Sequence, residues 1–275
     1  MANVVKVRKV SFLAEIIAYK RDQVLQDKKR RSTASLDRMA HARVSNQENL
    51  FYQSLTSRFG PAIIAEIKRC SPSKGLLRSD FDPVGLAAAF ESAGASALSV
   101  LTDAKYFGGS LEILSAVRRS THLPILRKDF VVDEYQIAEA KAFGADAVLL
   151  IAAVLSAAEL KRFGLRAQRY GLDVVYEVHD SAELKKILPL KPKIVGVNNR
   201  DLKTFKVDLG TTERLLREIP TGTCVVAESG IKNSSDIRHL AADGAKAFLV
   251  GETLMKHKNP GQALQKLWGI RRDSR

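Results

Sequence analysis

Cysteine is nearly absent from this chain. Cys70 and Cys224 are the only two among 275 residues, so no disulfide framework can staple the fold, and a reducing cytoplasm is the expected setting. Long apolar runs are missing too: nothing approaches the roughly 20 residues of a membrane helix, so no membrane partner is expected. Met1 to Val10 carries Lys6, Arg8 and Lys9, but no apolar block with a small-residue cleavage site follows, and Glu15 and Asp22 come soon after. Neither a signal nor a transit peptide is expected. His41, His122, His179, His239 and His257 lie at no ligand spacing and the cysteines sit far apart, so no metal site is predicted. No dinucleotide glycine fingerprint follows a strand, Gly108-Gly109 being a loop pair, and Ser71-Pro72-Ser73-Lys74-Gly75 is too short for a Walker loop. Ser71 and Ser229 have no histidine–carboxylate set for nucleophilic catalysis.

Acidic side chains are in short supply. Thirty stand against 44 Lys and Arg, a net +14 that invites a nucleic-acid reading. About half of the excess falls in residues 1–60, with twelve basic and five acidic side chains, and its densest run is Lys28-Lys29-Arg30-Arg31. No aromatic interleaving or nucleic-acid motif accompanies the run, so a solvated basic helix end is expected and no nucleic-acid partner. A positive surface would equally draw in a phosphorylated, carboxylated small molecule.

What is present points to one α/β architecture. Apolar residues make up 45% and charged residues 27%, enough for a sizeable core, and the length suits a single barrel of roughly 250 residues. Eight β-rich apolar runs are predicted as strands: Ala62–Cys70, Ser96–Asp103, Leu123–Phe130, Ala145–Ala152, Asp173–Asp180, Lys193–Asn199, Thr223–Ser229 and Ala247–Gly251. Amphipathic stretches such as Pro83–Ser92, Asp133–Phe143, Ala157–Tyr170 and Ser234–Ala242 separate them, with N-caps at Ser156, Asp180 or Ser181, and Asn233. Gly94-Ala95, Gly144-Ala145 and Gly244-Ala245 each end a helix and open a strand. The fold class is therefore α/β, a single (βα)8 barrel over residues 61–275, although counting units alone leaves a doubly wound sheet open. Residues 1–60 form an N-terminal helical extension packing on the barrel. Ser11 to Lys28 has helical spacing, with Phe12, Ile16, Tyr19 and Leu25 near one face, and Asn49–Arg58 reads as a second short helix. Their expected place is one end of the barrel or its active face. Glu48 to Ser54 resembles the recognition heptapeptide of a tag-removal protease, but apolar periodicity on both sides favours a native segment.

Polar groups recur at the strand ends, in phase. Ile63, Ala65 and Ile67 form one face of the first strand; Ile64, Glu66 and Lys68 form the other, which places a carboxylate and an ammonium in the barrel mouth. Burying both costs several kcal/mol each unless they pair. The same parity turns Lys128, Glu177, Asn198 and Glu228 inward at the ends of strands three, five, six and seven. Lys128, crowded by a second cation at Lys68, reads as a tuned proton donor. His179 is expected at the surface or behind the catalytic groups. Ser229-Gly230-Ile231 after strand seven, and Gly251 before a short helix after strand eight, match the recurrent phosphate site of such barrels. The chemistry reads as cofactor-free acid–base work on a phosphorylated substrate.

In these motifs the chain resembles the indole-3-glycerol phosphate synthase family. The resemblance is carried by Ala65-Glu66-Ile67-Lys68-Arg69, Ser71-Pro72-Ser73-Lys74-Gly75, Phe107-Gly108-Gly109-Ser110, Leu126-Arg127-Lys128-Asp129-Phe130 and Glu177-Val178-His179. It continues through Asn198-Asn199-Arg200-Asp201-Leu202, Glu228-Ser229-Gly230-Ile231 and Leu249-Val250-Gly251-Glu252, and covers nearly the whole chain from about residue 11. Cys70 stands where a small residue such as Ala or Ser is expected. The resemblance implies ring closure, decarboxylation and dehydration of 1-(2-carboxyphenylamino)-1-deoxyribulose 5-phosphate in tryptophan biosynthesis, without a cofactor. It implies Lys128 as general acid, Lys68 on the substrate carboxylate and Glu177 in dehydration. Glu66, Asn198 and Glu228 would form the supporting polar network. Ser71, Arg200 and Ser229 would contact substrate, with Gly230 and Gly251 amides at its phosphate. The alternatives are another phosphate-binding barrel, such as phosphoribosylanthranilate isomerase, or a basic nucleic-acid-binding protein on an inactive barrel. A monomer is the default, with no fused second enzyme expected after the eighth helix.

Overall fold

The computed structural model describes residues 12–43, 49–57, 60–202 and 204–269. Met1–Val10, Ser11, Glu48 and Arg58, which figure in the sequence reading, lie outside them. Eight parallel strands close on themselves: β1 (Ala62–Ile67), β2 (Ala97–Leu101), β3 (Ile125–Lys128), β4 (Ala147–Ile151), β5 (Asp173–Val178), β6 (Ile194–Asn198), β7 (Cys224–Glu228) and β8 (Ala247–Val250). Each pairs with its sequence neighbours, and β8 pairs with β1 through Ala62↔Ala247 to Ala65↔Val250, so no edge strand is left. This is a (βα)8 barrel, and the doubly wound alternative falls.

Helices α1 (Phe12–Arg30), α2 (Thr33–Ala42) and α3 (Leu50–Thr56) precede the barrel. Around it run α4 (Pro83–Ser92), α5 (Ala104–Phe107), α6 (Leu111–Ser120), α7 (Glu134–Phe143), α8 (Ala157–Arg169), α9 (Ser181–Ile187), α10 (Gly210–Leu216), α11 (Ser234–Ala242), α12 (Glu252–Met255) and α13 (Pro260–Trp268). Their starts follow the expected chemistry. Ser156 and Asn233 form capping boxes with Glu159 and Asp236, and the Asp180 carboxylate accepts from the Glu183 amide. Gly144 closes α7 at φ 104°, a left-handed turn that a residue with a Cβ rarely takes.

Two cores follow from strand alternation. Ile63, Ala65 and Ile67 join the layer between barrel and helices, whereas Ala62 and Ile64 join the barrel interior with Ala97, Leu126, Val175, Val226 and Leu249. Helix α3 plugs that interior from the N-terminal end of the strands. Phe51 is fully buried among the interior side chains, worth about 1.5–3 kcal/mol. The Tyr52 amide donates to Asp173 at the start of β5 (2.9 Å), and Lys193 donates to the Asn49 side chain (2.9 Å). From Asn49 onward the protease-like segment is thus tied to the barrel, with Phe51 in the core.

Three features differ from the sequence reading. The strands stop earlier at their C-terminal ends: β1 ends at Ile67, and Cys70–Ser71 instead pairs antiparallel with Gly75–Leu76 in a short hairpin. Helix α2, which packs on α7, was not expected. On α1 the buried stripe is Ile16, Lys20 and Val24, and Leu25 is 57% exposed. Lys20 changes the meaning of that helix. Its ammonium lies 2.7 Å from Asp103 and 2.8 Å from Asp129, just beyond β2 and β3, and the pair clamps α1 over the C-terminal mouth.

Candidate active site

Strand register sets the site. Lys128 lies opposite Leu101, Glu177 opposite Ile151 and Asn198 opposite Glu228, so these inward side chains reach one level at the C-terminal end of the barrel. There a cavity of about 580 Å³ opens. Glu66, Lys68, Ser71, Lys128, Glu177, Asn198, Arg200, Glu228, Ser229, Gly230 and Gly251 all line it, so every site residue expected from the sequence is brought to one place.

At its floor the Lys128 ammonium sits between two carboxylates. It lies 2.8 Å from Glu177 Oε2 and is hydrogen-bonded to Glu228 Oε2. Asn198 Nδ2 donates to Glu177 Oε1 (3.1 Å), while its Oδ1 accepts from the Arg200 backbone amide (3.0 Å), so one amide side chain fixes two site residues. Lys68 pairs with Glu66. Neither lysine is an idle buried charge.

Burial disfavours the charged form of Lys128, but the charges of Glu177, Glu228 and Glu66 outweigh it and raise the lysine above its ordinary value. This corrects the expectation that Lys68 would crowd Lys128 into a weaker hold on its proton: three carboxylates surround it and dominate. Burial would also raise Glu177, yet Lys128, His179 and the Asn198 hydrogen bond hold it down to about 2. Glu228 goes the other way. Burial pushes it up to about 7, Lys128 offsetting only part of that and Glu177 adding to it. Two carboxylates on one ammonium are therefore driven apart, a base that stays ionised beside an acid that titrates near neutrality.

The phosphate-type end is built from turns. Ser229 and Gly230 follow β7 with φ 57° and 88°, two successive left-handed residues. A Cβ on Gly230 would meet Val207 Cγ1 at 2.5 Å, and one on Gly251 would meet Glu66 Oε2 at 2.1 Å, so backbone must pass close there. The Thr253 hydroxyl ties α12 to the turn by donating to Ile231 O (2.6 Å). Arg200 extends toward this end and lies 3.4 Å from Glu252. Lys74, Lys232 and Lys256 stand on the wall.

The sequence reading left out the apolar wall. Phe12, Leu13 and Ile16 of α1 line the cavity together with Phe107, Phe130 and Ile151, and the Phe107 and Phe130 rings stand 6.3 Å apart. The run Ala147–Ile151 is apolar at every position, so its sequence does not tell that Leu149 and Ile151 turn inward, and the α1 residues reach the cavity through the Lys20 clamp. His179 is mostly buried rather than at the surface, 3.4 Å from Glu177 and outside the cavity lining. Among the described residues one trio, Glu213, His239 and Asp243, gathers three ligand-type atoms, on the outer helices and apart from the cavity.

Comparison with known proteins agrees with this geometry. The family model described as indole-3-glycerol phosphate synthase matches residues 13–267. The chain is 47% identical over 259 residues to the indole-3-glycerol phosphate synthase of Acidithiobacillus ferrooxidans, covering 93% of this chain and 98% of that protein. It is 46% identical to the same-named protein of Desulfotalea psychrophila, over 93% of this chain and 98% of the relative. Among solved structures it resembles a mutant tryptophan synthase alpha-subunit from Pyrococcus furiosus, with TM-score 0.59, 18% identity, and 78% of this chain and 100% of that one covered. It also resembles the thiamine phosphate pyrophosphorylase of Pyrococcus furiosus, with TM-score 0.58, 16% identity, and 80% and 96% covered. The two structures share the fold; the sequence relatives share far more.

Proposed function

The chain belongs to the indole-3-glycerol phosphate synthase family, and from that premise we propose how its strand ends divide the work. The enzyme is a carboxy-lyase of tryptophan biosynthesis that forms indole-3-glycerol phosphate. Its substrate, 1-(2-carboxyphenylamino)-1-deoxyribulose 5-phosphate, carries a phosphate, a carboxylate and an aromatic ring, one for each kind of wall. The ring meets the apolar side of Phe107, Phe130 and Ile151; the phosphate meets the amides of Ser229, Gly230 and Gly251, with Arg200 beside them; the carboxylate meets Lys68, with Ser71 at the rim.

In ring closure the aromatic carbon that bears the carboxylate bonds to the ketone carbon, and the ketone oxygen must gain a proton. Lys128 supplies it. Carbon dioxide then leaves from the same ring carbon, and its bonding electrons return to the ring. The new hydroxyl leaves as water, protonated by Lys68, with Glu177 handling the proton transfers of dehydration. Glu66 and Asn198 orient these groups, and Glu228 completes the cluster. The observation that carries the reading is the Lys128 ammonium held 2.8 Å from Glu177 on the floor of the cavity. The family match displaces the isomerase alternative. Helices α1 to α3 and the barrel work as one structural unit, as a monomer in the cytoplasm. Among the described residues no helix is long and apolar enough to cross a membrane, and both cysteines are free thiols.

The test is continuous fluorescence of indole-3-glycerol phosphate formation with Lys128→Ala beside the wild type. Loss of the general acid is expected to lower kcat by a factor on the order of 10² to 10⁴ with KM little changed. Unchanged turnover would remove Lys128 from the role.

A further inference from the structure

Glu177 has a partner that the cavity does not see. His179 follows it by two residues on the same strand end, and the ring Nε2 lies 3.4 Å from Glu177 Oε1, the oxygen that Asn198 already holds. On its other side the ring Nδ1 lies 3.0 Å from Glu183 Oε2, and the same oxygen accepts the His179 backbone amide at 2.9 Å. Glu183 is the third residue of α9, whose amide is capped by Asp180 at 2.8 Å, so the helix start aims it back at His179. The result is one line of groups: Glu183, His179, Glu177, Lys128.

We propose that His179 is a positioning residue for the acid–base pair: anchored by Glu183, it holds Glu177 as a carboxylate aligned on Lys128. The inference rests on the reading of Glu177 as an acid–base group. The carboxylates facing the ring favour an imidazolium and outnumber the one cation that opposes it. Glu177 approaches from its own strand, Glu183 from α9 and Glu228 from β7, against the single ammonium of Lys128 on β3, which those carboxylates already neutralise. Asn198 on β6 is uncharged, and Lys186 of α9 donates to the carbonyls of Ala152 and Leu155 instead. Burial of the ring opposes its charge, but the Glu183 hydrogen bond and the charges of Glu177, Glu183 and Glu228 prevail and raise His179 above an ordinary histidine. With a cation on one carboxylate oxygen and Lys128 on the other, Glu177 takes up a proton only at low pH. Both oxygens are also fixed in direction, which leaves Lys128 and not Glu177 as the proton source for the ketone oxygen.

The experiment follows the His179 ring by 15N NMR in the full chain and measures kcat and KM against pH for wild type, His179→Asn, Glu183→Gln and Glu177→Gln. The His179 midpoint is expected above the ordinary value, and Glu183→Gln and Glu177→Gln are each expected to lower it, because the coupling is reciprocal. His179→Asn is expected to lift the acid limb of kcat by about one pH unit or more, with KM within about twofold, as loss of a neighbouring cation does to a carboxylate. Should that variant fail to fold, Glu183→Gln carries the test, with a smaller shift in the same direction. A His179 midpoint indifferent to Glu177→Gln, or a kcat lowered by one factor at every pH, overturns the proposal. Full turnover in Glu177→Gln would instead sink the catalytic reading of Glu177, whatever the ring titration shows, so the two failures are told apart.

Discussion

Glu228 and Glu177 share one ammonium, and their surroundings decide which keeps a proton. The Glu228 carboxylate is 1% exposed, and its Oε1 has no hydrogen-bond partner among the described residues; a Cβ on Gly196 would stand 2.2 Å from that oxygen. Burial therefore pushes Glu228 up to about 7, against an ordinary 4.5. A carboxyl whose folded value exceeds its unfolded one binds more protons when folded between those values, so its contribution to stability is greatest below about pH 4.5 and declines until about pH 7. Glu177, held down to about 2, acts the opposite way, but its contribution is complete above pH 4.5 and leaves the neutral window flat. His179, raised, declines in the same direction as Glu228. The urea midpoint of the wild type is thus expected to fall from pH 5 to pH 8. Glu228→Gln mimics the protonated carboxyl and should flatten that slope, leaving the parts that belong to His179, His239 and the other raised carboxyls, Glu139, Asp146 and Asp173. Equal slopes in the two proteins would show that Glu228 does not titrate there.

Among the elements, α1 is where local pattern and tertiary need diverge most. Strands and outer helices announce themselves through alternation and caps, because each buries its face against a neighbour in sequence. All eight strands follow from their apolar β-rich runs, and the inward turn of Glu66, Lys128, Glu177, Asn198 and Glu228 follows from parity. Lys20 does not: its counter-ions Asp103 and Asp129 lie more than eighty residues away, so in sequence it reads as an ordinary polar break in an apolar stripe. Helix α2 was missed for a related reason, since only Leu36 and Ala40 of its ten residues are buried. The strand-end hairpin at Cys70–Ser71 escaped because polar residues past the ladder still look extended. The Lys20 clamp is also tied inward. Burial works against the charge of Asp129, yet Lys20 and Arg127 hold its carboxyl below the usual range, and its Oδ2 accepts from the Thr102 hydroxyl at 2.6 Å. Lys20→Met would leave Asp103 and Asp129 short of a cation, at an expected cost of about 3–5 kcal/mol. Because α1 supplies Phe12, Leu13 and Ile16 to the cavity, KM should rise more than kcat falls. Urea unfolding together with steady-state kinetics checks both, and a stable variant with unchanged KM would detach α1 from substrate binding.

For the molecule as a whole the question is what a net charge of +14 is for. The cavity does not hold the excess: six cations and seven carboxylates line it. In the run Lys28-Lys29-Arg30-Arg31, Lys29 and Arg30 are solvent-exposed as expected of a helix end, while Lys28 and Arg31 engage α7. Lys28 lies 2.7 Å from Asp133, the Arg31 guanidinium stacks 5.0 Å from the Phe143 ring, and the Tyr135 hydroxyl donates to the Arg31 carbonyl at 3.0 Å, so this helix end docks on α7. Charge spread over the outer surface acts only at long range, where salt screens it within about 10 Å at 0.1 M. The floor pairs, buried and in contact, escape that screening. A dianionic phosphate approaching a positive body should therefore be captured faster at low salt and converted at the same rate once bound. Raising sodium chloride from about 20 to about 500 mM is expected to lower kcat/KM several-fold while kcat holds steady, with a sucrose series at matched viscosity separating diffusion from charge. If kcat/KM ignores salt, substrate capture owes nothing to the basic surface. A parallel titration with duplex DNA then becomes decisive: a steep log–log salt slope would assign the charge to nucleic acid after all.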